Sequence, residues 1–493
     1  MQVEVNRKNI KFLPDSSRVI ARFLYTGEER ALNTIRFVLK MSEQSVSQAL
    51  SPVLRDFSLR HRNISRIFKN HFNKISHLLK LLDVNPESLT ASQETLIGSY
   101  FTMEYSIESA AFFNPSVVEH PDQSETGPGE KRIILSFRAT GEGHISSIVF
   151  RTGVLDRNNN LSIEPVGNML EEAQHIRKHV YDKASFISKL DEMKDIHALI
   201  PSGLILDRLN DKFTYGELRD CIEDARSSLH LAGDKEILFD QIIWLASSHY
   251  ELQFSLDTNI SERVIFPVSL NEKNGIEDAR FVKFTEDNGE IIYYATYTAY
   301  DGTAIMPKML DTRDFYHFNI LPLHGEIAQN KGMALFPRKV NGKYAMLCRL
   351  DGSNNYISYS DNINLWREAS LLQKPEFPWE FIQIGNGGSP VETPEGWLVI
   401  THGVGPMREY ALGASLFDLQ DPGKEIGRLK LPLLIPNAGE REGYVPNVVY
   451  SCGSMIHNDE LVIPYAMSDY ASTYATVNLR ELLNELKKSK QDL

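Results

Sequence analysis

Hydrophobic residues recur at three- and four-residue steps between about Asn33 and Leu82, which is the period of an amphipathic helix. No glycine interrupts this stretch, and Pro52 is expected to start or kink a helix there. The stripe consists of Val46, Leu50, Val53, Leu54 and Phe57. We therefore predict an N-terminal helical region over residues 1–99.

From about Tyr100 the pattern changes to short runs of β-branched and aromatic residues that are bounded by turn residues. The first three runs are 109–116, 132–138 and 145–150. They predict the start of a β domain over residues 100–166.

A second helical block is predicted over residues 167–260, from one hydrophobic stripe near its start and another near its end. The two stripes are Met169, Ala173, Ile176 and Val180, and Ile237, Ile242, Ile243, Leu245 and Ala246. The block either interrupts the β domain as a separate insertion or packs with the N-terminal helices into one auxiliary domain. We favour the second arrangement.

Residues 261–493 consist almost entirely of short predicted strands and turns, and the β domain is expected to continue through them. Asn341-Gly342 is typical of a β-hairpin, and further reversals are predicted at 385–388, 394–396 and 422–423. Only Asn478 to Lys487 predicts a closing helix. Such a succession indicates a mainly β fold of the propeller, barrel or sandwich type.

Length and charge restrict the class of protein. A chain of 493 residues is expected to form two or three domains. The formal net charge of −13 argues against a nucleic-acid partner and against an anionic membrane surface. Basic residues nevertheless cluster in the N-terminal helices: Arg55, Arg60, Arg62, Arg66, Lys69, Lys74 and Lys80. We favour a solvent-exposed helix face over a surface that binds an anion or a partner.

The three cysteines, Cys221, Cys348 and Cys452, are odd in number and far apart, which supports neither a disulfide framework nor a cysteine metal site. The N-terminus lacks the apolar run of a signal peptide, and no later segment reaches about 18 uninterrupted apolar residues. The expectation is a cytoplasmic protein without a metal and without a membrane partner.

The segment from Gly275 to Arg280 places an acid and a base two residues apart, just before an aromatic-rich strand at 291–300. On an extended backbone Asp278 and Arg280 point to the same face, so the guanidinium can orient the carboxylate or lie beside it towards a ligand. A carboxylate so placed can hold or deliver a proton. The alternative is a surface ion pair, which is the commoner situation for an isolated Asp-x-Arg.

Two more polar groups flank apolar strands. His402 ends the run from Trp397 to Thr401, and side chains at strand ends of a propeller or barrel line its cavity or mouth. A histidine in this position is more often structural than catalytic. Four cationic side chains flank another apolar strand: Lys331, Arg338, Lys339 and Arg349. If they converge in a pocket, they would suit an oxyanion such as phosphate. If they do not converge, they are solvated surface charges.

The sequence contains no phosphate-binding Gly-x-x-x-x-Gly-Lys loop, no Gly-x-Ser-x-Gly elbow, no His-Glu-x-x-His and no dinucleotide fingerprint. These exclusions leave two kinds of function: acid catalysis by a carboxylate on a carbohydrate, or a binding role without catalysis.

A series of short motifs follows in a specific order through the β-rich part of the chain. They lie at 113–116, 135–138, 275–280 with 294–300, 334–337 with 342–344, 396–398 with 402–404, 410–414 with 418–422, 443–450 and 468–469. The series resembles glycoside hydrolase family 130, the β-mannoside phosphorylases and related β-mannosidases, over roughly residues 112–483 without the helical block. The resemblance implies a five-bladed β-propeller with an added N-terminal helical region and an insertion.

The resemblance also implies a mechanism. Asp278 would be the general acid, relaying its proton to the glycosidic oxygen through the 3-hydroxyl of the mannosyl unit. Phosphate would attack the anomeric carbon from the opposite face, with inversion, and α-mannose 1-phosphate would leave. A single carboxylate fits this chemistry because phosphate is already an anion, whereas a hydrolytic inverter needs a second carboxylate to activate water.

Residue by residue, the resemblance places Asn114, Ser116, Arg138 and Asp469 where the sugar is held, and Lys331 and Arg349 where phosphate is bound. Arg280 and His402 are further candidates for substrate binding. The expected ligands are an oligomannoside and inorganic phosphate as co-substrate, with no other cofactor.

Two positions depart from the family pattern. The usual Glu-Asp-Pro-Arg reads Glu-Asp-Ala-Arg at 277–280, which loosens the backbone but keeps the acid and the base. Glu392 stands where some phosphorylases have another cation, and it would repel phosphate and serve as a base for water. Retention of Lys331 and Arg349 favours phosphorolysis over the first alternative, an inverting β-1,2-mannosidase. The presence of Asp278 favours an enzyme over the second alternative, a non-catalytic carbohydrate-binding propeller.

The long N-terminal region and the insertion resemble the longer branch of the family, which includes β-1,2-oligomannoside phosphorylases. Helical appendages often mediate self-association or shape the acceptor side of a site, so a homo-oligomer is a further expectation.

Overall fold

The computed structural model describes residues 3–167, 169–176, 180–192, 205–228, 239, 242–243 and 245–489. The fold is mainly β, as predicted, and its strands form five sheets of four or more strands together with two pairs of strands. None of the helices in the described ranges is long and apolar enough to span a lipid bilayer.

The N-terminal helices are α1 (Glu28–Leu39), α2 (Glu43–Ser58), α3 (Ile64–Ile75) and α4 (Ala91–Tyr100). Local capping explains where two of them begin. The Ser42 hydroxyl accepts from the Ser45 amide before α2, and Thr90 and Gln93 form a reciprocal capping box before α4. Pro52 lies inside α2 rather than at its start.

Three further helices follow in the described ranges: α5 (Lys183–Glu192), α6 (Tyr215–Ser228) and α7 (Leu479–Ser489). The last confirms the predicted closing helix. Short 3-10 helices lie at Ser76–Leu82, Pro86–Ser88, Glu142–His144, Leu206–Arg208, Ile260–Glu262, Leu270–Glu272, Pro378–Glu380, Pro406–Arg408 and Ala438–Glu440.

The strands before the first large sheet are β1 (Val5–Arg7), β2 (Val19–Phe23) and β3 (Thr102–Ser106), of which β2 and β3 pair with each other. Sheet 1 has the order β4-β5-β6-β13-β8, with β7 added to β6. Its strands are β4 (Ala111–Glu119), β5 (Lys131–Thr140), β6 (Ser146–Leu155), β7 (Leu161–Ile163), β8 (Glu171–Glu172) and β13 (Arg263–Ile265).

Sheet 2 has the order β14-β15-β16-β17-β12-β9. Its strands are β9 (Gln174–Ile176), β12 (Tyr250–Gln253), β14 (Ile276–Thr285), β15 (Ile291–Tyr300), β16 (Ile305–Thr312) and β17 (His317–Pro322). The remaining pair of the predicted helical block is β10 (Val180–Asp182) with β11 (Lys212–Thr214).

Sheets 3 to 5 follow in chain order. Sheet 3 is β18 (Ala334–Leu335), β19 (Tyr344–Cys348), β20 (Asn355–Ser360) and β21 (Ala369–Gln373). Sheet 4 is β22 (Gln383–Asn386), β24 (Gly396–Val404), β25 (Tyr410–Phe417) and β26 (Glu425–Arg428), with β23 (Val391–Thr393) on β24. Sheet 5 is β27 (Val449–Tyr450), β29 (Glu460–Met467), β30 (Ala471–Asn478) and β1, with β28 (Met455–His457) on β29.

Each sheet packs against the next through a hydrophobic cluster, and the fifth packs against the first. Phe150 of sheet 1 meets Phe281 of sheet 2, and Phe336 beside sheet 3 meets Trp397 of sheet 4. The other clusters join sheets 2 and 3, sheets 4 and 5 with α7, and sheets 5 and 1.

The helical block differs from its prediction. The stripe from Met169 to Val180 predicted a helix, but the described residues there form the strands β8, β9 and β10. Strands β8 and β9 hydrogen-bond to sheets 1 and 2, and this pairing outweighs the helical periodicity. Ile237 of the second stripe lies outside the described residues.

The two helical regions do not share a core in the described part of the chain. The N-terminal helices pack around Ile35, Leu79 and Phe72, whereas α5 and α6 pack around Phe186, Leu218 and neighbouring side chains in a separate cluster. The favoured common core and the division of the chain into domains both stay predictions.

Candidate active site

Two β-bulges place the candidate acid and its neighbours at the start of strands β4 and β14. The register of β4 shifts between Phe113 and Ser116, and that of β14 shifts between Glu277 and Arg280. Asn114 and Asp278 occupy these bulges with φ of 50° and 56°. Asn and Asp tolerate this left-handed region better than most residues, and backbone strain of this kind is concentrated at functional sites.

Asp278 contacts Asn114 and Arg138. The Asn114 amide nitrogen donates to Asp278 Oδ1 at 2.6 Å, and Arg138 Nη1 lies 3.6 Å from the same oxygen. Burial raises the pKa of the Asp278 carboxyl, but Arg138, the Asn114 hydrogen bond and the charges of Lys331 and Arg280 lower it by more. The pKa of Asp278 therefore lies below its usual value in the ligand-free protein.

Glu277 joins two of the predicted ligand-binding cations. Its Oε1 accepts from Arg138 Nη2 at 2.8 Å, and its Oε2 accepts from Lys331 Nζ at 2.5 Å. The Glu277 side chain is 10% exposed, whereas that of Lys331 is 40% exposed. Lys331 thus reaches the solvent-facing side of the site while its charge is held by a less accessible carboxylate.

Arg280 makes its hydrogen bonds to groups other than Asp278, although its charge lowers the pKa of that carboxyl. The bulge breaks the regular alternation of the strand, and Arg280 instead donates to the Asn386 carbonyl at 2.9 Å and to the Tyr450 hydroxyl at 2.7 Å. Asn386 in turn donates to the Gly332 carbonyl at 2.7 Å. Arg280 therefore ties sheets 2, 4 and 5 together next to Lys331.

His402 and Arg349 belong to the same network. The His402 ring lies 4.9 Å from the Tyr450 ring, and its Nδ1 lies 3.1 Å from the Asn386 carbonyl. The Gln383 amide lies between His402 and Arg349. Burial, followed by the charges of Arg349 and Arg280, holds the pKa of His402 well below its usual value, so this imidazole is neutral at pH 7.

Asp469 completes the electrostatics of the site. It follows Ser468 in the turn after β29, and the two residues have φ of 52° and 50°. Burial, and then the negative charge of Asp278, raise the pKa of Asp469 to about 6, although Arg138 and Arg408 oppose the shift. Two carboxylates with pKa values displaced in opposite directions therefore act on each other here.

Ser116 and His402 are almost fully buried, and neither exposes enough surface for the predicted contact with a ligand. The Ser116 hydroxyl accepts from the Phe281 amide at 3.1 Å, which links β4 to β14 just below the two bulges. His402 contacts Tyr450 and Gln383. For both residues the structure supports positioning of neighbours in place of direct sugar binding.

Glu392 lies at the far end of the strands, which corrects its prediction as a base. Its carboxylate accepts two hydrogen bonds from Arg338, at 2.7 and 2.8 Å. Arg338 forms a bridge with Thr285 at the end of β14, seven residues beyond Asp278, and an extended strand of that length spans roughly 20 Å. Glu392 is too far away to activate a water for Asp278.

Glu392 and Arg338 line a separate cavity of about 320 Å³, here called the far-end cavity, together with Glu119, Lys131 and Lys283. Lys339 also lies at that end, with its ammonium 2.8 Å from Asp287 and 3.3 Å from Glu286. Of the four cations that flank the strand, only Lys331 and Arg349 therefore belong to the site around Asp278.

Three residues of the site were not assigned a role from the sequence: Glu277, Asn386 and Tyr450. Glu277 was overlooked because it adjoins the candidate acid, although a second acid beside Arg138 and Lys331 is a signal in itself. Asn386 was assigned to a chain reversal but lies at the end of β22. Tyr450 had no signal beyond its motif, since it becomes part of the site only through tertiary contacts.

No group of three or more His, Cys, Asp or Glu side chains in the described ranges is arranged to hold a metal ion. The arrangement instead offers one carboxylate on a strained backbone, several cations beside it and a second carboxyl group that titrates near neutrality.

Comparison with known proteins gives one matching family. The sequence model of the family described as beta-1,4-mannooligosaccharide phosphorylase matches residues 242–488. A 1,2-beta-oligomannan phosphorylase from Thermoanaerobacter sp. is 35% identical over 228 residues, which are 44% of this chain and 74% of the relative. A beta-1,2-mannobiose phosphorylase from Listeria innocua serovar 6a is 28% identical over 276 residues, 53% of this chain and 73% of the relative.

Among solved structures, the Listeria innocua beta-1,2-mannobiose phosphorylase in complex with beta-1,2-mannobiose matches 78% of this chain and 93% of its own, with 22% identity and a TM-score of 0.46.

Proposed function

The chain belongs to glycoside hydrolase family 130 and is an enzyme that acts on mannosides, and from this premise we propose that it cleaves β-1,2-linked oligomannosides by phosphorolysis. The choice of linkage is supported by the relatives from Thermoanaerobacter and Listeria, whose names specify β-1,2 linkages. The choice of phosphate as nucleophile is supported by Lys331, which shares Glu277 with Arg138 beside Asp278, and by Arg349, which lies near His402 in the adjoining Arg280 network.

The observation that carries the proposal is the position of Asp278 on its bulge, bonded to Asn114 and beside Arg138. Asp278 is the proton donor in this proposal. Its proton passes through the 3-hydroxyl of the mannosyl unit to the glycosidic oxygen as the bond from that oxygen to the anomeric carbon breaks. A phosphate oxygen forms the new bond to that carbon from the opposite face, and the product is α-mannose 1-phosphate.

The low pKa of Asp278 in the ligand-free protein is consistent with its role as proton donor, because bound phosphate changes the charges around the carboxyl group. The cations that lower this pKa, foremost Arg138 and with it Lys331, are those beside the proposed phosphate position. A bound phosphate dianion offsets their charge, and a sugar stacked over the carboxyl excludes water. Both effects raise the pKa of Asp278, so we expect it to take up its proton when both substrates are bound.

The five sheets are inferred to be the blades of a five-bladed β-propeller. Support comes from hydrogen bonds that link successive sheets: Ser116 to Phe281, Thr296 to Met333, Asn386 to Gly332, the bridge of Tyr410 with Val448, and Cys452 to Pro115. These links lead from sheet 1 through sheet 5 and back to sheet 1. Pairing of the N-terminal β1 with β30 is the type of closure that such a ring requires.

Incubation of purified protein with a β-1,2-mannooligosaccharide, with and without inorganic phosphate, tests the function. We expect α-mannose 1-phosphate to form only when phosphate is present, identified by phosphorus and proton NMR. Free mannose released at the same rate without phosphate would refute phosphorolysis. The anomeric configuration of the mannose 1-phosphate, which does not mutarotate, tests inversion.

A further inference from the structure

Glu277 is a carboxylate with two cationic partners inside the site and is given no role by the proposed reaction. Arg138 donates to its Oε1 at 2.8 Å and Lys331 donates to its Oε2 at 2.5 Å, so both of its oxygens are engaged. Hydrogen bonds between ionised groups are the strongest that side chains form. The contact of Lys331 with Glu277 must therefore be weakened or shared before Lys331 can bind another anion fully.

The exposures of the three side chains indicate which of them moves. Glu277 is 10% exposed and Arg138 20% exposed, whereas Lys331 is 40% exposed and has a flexible four-carbon stem. Lys331 follows Asn330, whose side-chain oxygen accepts from the Lys331 amide at 2.7 Å and holds the backbone in place. The ammonium group can thus move towards the solvent side while the backbone and Glu277 stay where they are.

We propose that Glu277 is the internal counter-ion of the phosphate site: it holds Lys331 and Arg138 in the ligand-free enzyme, and it gives up Lys331 to phosphate when phosphate binds. This inference rests on the proposed function, because it takes phosphate as the ligand of Lys331. Glu277 touches neither the sugar nor the reacting atoms in this scheme and is a positioning residue.

A competing internal anion has a measurable consequence. Its removal leaves Lys331 with a full positive charge and no partner of opposite sign, so phosphate binds without first displacing a carboxylate. Hydrogen bonds to charged groups are among the stronger polar contacts, so Glu277→Gln is expected to tighten phosphate binding roughly tenfold. If Glu277 instead served only to keep Lys331 in position, the same substitution would weaken phosphate binding.

The far-end cavity provides a matched control. Glu119 also accepts from two cations, Lys131 at 3.1 Å and Lys283 at 3.0 Å, with a similar partly buried geometry. Lys283 lies five residues beyond Asp278 on β14, roughly 16 Å along the strand. Glu119→Gln removes a carboxylate with the same type of partners, and we expect it to leave phosphate affinity unchanged.

The experiment is a calorimetric titration of inorganic phosphate into the wild-type protein, Glu277→Gln, Glu277→Asp and Glu119→Gln, without sugar. Tighter binding in Glu277→Gln alone, with Glu277→Asp returning towards the wild-type affinity, supports the inference. Unchanged or weaker binding in Glu277→Gln refutes it, provided that the wild type binds phosphate. If the wild type binds no phosphate and its turnover needs none, phosphorolysis itself is refuted and the inference with it.

A second readout separates this role from a merely structural one. Without the Glu277 carboxylate, Arg138 and Lys331 act uncompensated on Asp278 and favour its ionised form. The basic limb of the profile of kcat against pH, which reports the substrate-bound enzyme, is therefore expected to move to lower pH in Glu277→Gln, by up to about one pH unit. A limb that stays in place or moves upward would contradict the role as counter-ion.

Discussion

Glu272 and Asp278 are six residues apart in the sequence, and each is a carboxylate beside a lysine, yet their surroundings differ in kind. Glu272 is completely buried and accepts from Lys308 at 2.8 Å, from the hydroxyls of Tyr250 and Tyr297, and from the amides of Val268 and Ser269. Every oxygen of Glu272 is satisfied within the protein.

The cluster around Asp278 is less complete. The Asn114 side-chain oxygen and the Arg138 Nε are buried without a hydrogen-bond partner in the described structure. A second carboxylate, Asp469, lies close enough that the negative charge of Asp278 raises its pKa. Unsatisfied buried polar groups cost free energy, and a bound ligand, water or ion is one way in which they become satisfied. The comparison indicates that the Glu272 cluster stabilises the fold, whereas the Asp278 cluster is completed by a ligand.

The largest expected effect is on activity. Asp278→Asn keeps the size of the side chain and its contact with Asn114 but removes the proton that is to be delivered. General acid catalysis contributes about 10²- to 10⁴-fold, so we expect kcat to fall by that range while the circular dichroism spectrum and the melting temperature stay close to those of the wild type. Full activity in this variant would refute the assignment of the acid.

The corresponding change in the Glu272 cluster should affect stability. Lys308→Met leaves a buried carboxylate without its cation, which typically costs about 3 to 5 kcal/mol. The free energy of unfolding, measured by denaturant titration, is expected to fall by that amount. Lys343→Met is the control, because Lys343 is 51% exposed and pairs with Asp361 at the surface, and its loss should cost less than about 1 kcal/mol. Equal costs in the two variants would remove the contrast between the clusters.

The two clusters should also respond to pH in opposite directions. Burial opposes ionisation of Glu272, but Lys308 and the hydrogen bonds lower its pKa to about 2, so its contribution to stability is present above pH 4.5 and is lost as the pH falls towards 2. The pKa of Asp469 is raised to about 6 from 3.8, so its contribution is present below about pH 4 and is lost as the pH rises through 6.

Asp469→Asn tests this difference directly. The variant has no carboxyl group to ionise, so relative to the wild type its free energy of unfolding is expected to rise between pH 4 and pH 7, by at most roughly 3 kcal/mol. Denaturant titrations of both proteins across this range measure the effect. A constant difference between them would show that Asp469 titrates with its ordinary pKa.

A smaller effect is expected for the cations of the site. Lys331→Ala and Arg349→Ala each remove one charged donor from the proposed phosphate position, and such a contact contributes about 1.5 to 3 kcal/mol. The KM for phosphate should rise roughly tenfold or more, with a smaller change in the KM for the oligosaccharide. A KM for phosphate that does not change in either variant would move the phosphate site elsewhere.

The smallest effect is expected at Glu392. Its ion pair with Arg338 is about 40% exposed and lies in the far-end cavity. Glu392→Gln should change kcat, the KM for phosphate and the phosphate requirement by less than about twofold, since exposed ion pairs contribute little. A large loss of activity in this variant would revive the hydrolytic alternative, in which Glu392 activates water.

Several elements could be predicted from the sequence because their stabilising contacts are local. The Asn341-Gly342 hairpin has φ of 52° and 77° with reciprocal hydrogen bonds between Val340 and Lys343, as an Asn-Gly turn requires. The closing helix also formed as predicted. By contrast, strands β8, β9 and β10 pair with strands that are distant in the sequence, and no local pattern encodes such pairing.

For the site, the ordered motifs indicate Asp278, Arg138 and Lys331, which the structure brings together around Glu277, and their roles stay predictions. The motifs were not sufficient to separate residues in the site from residues behind it or far from it. Ser116 and His402 proved to be buried, Arg280 contacts Asn386 and Tyr450 in place of Asp278, and Glu392 lies at the other end of the strands. The two bulges that decide these orientations interrupt the regular alternation from which side-chain direction is read.

The amino-acid sequence therefore determined the mainly β character, the turn chemistry, the closing helix and the family, because each depends on short-range propensity or on the order of motifs. The tertiary structure decided that the cluster around Asp278 keeps buried polar groups without hydrogen-bond partners, and that Arg138 is the cation beside this carboxylate. That outcome depends on the meeting of strands from different sheets, and the free energy of a buried charge is set by all of its neighbours in space, most of which are far away in the sequence.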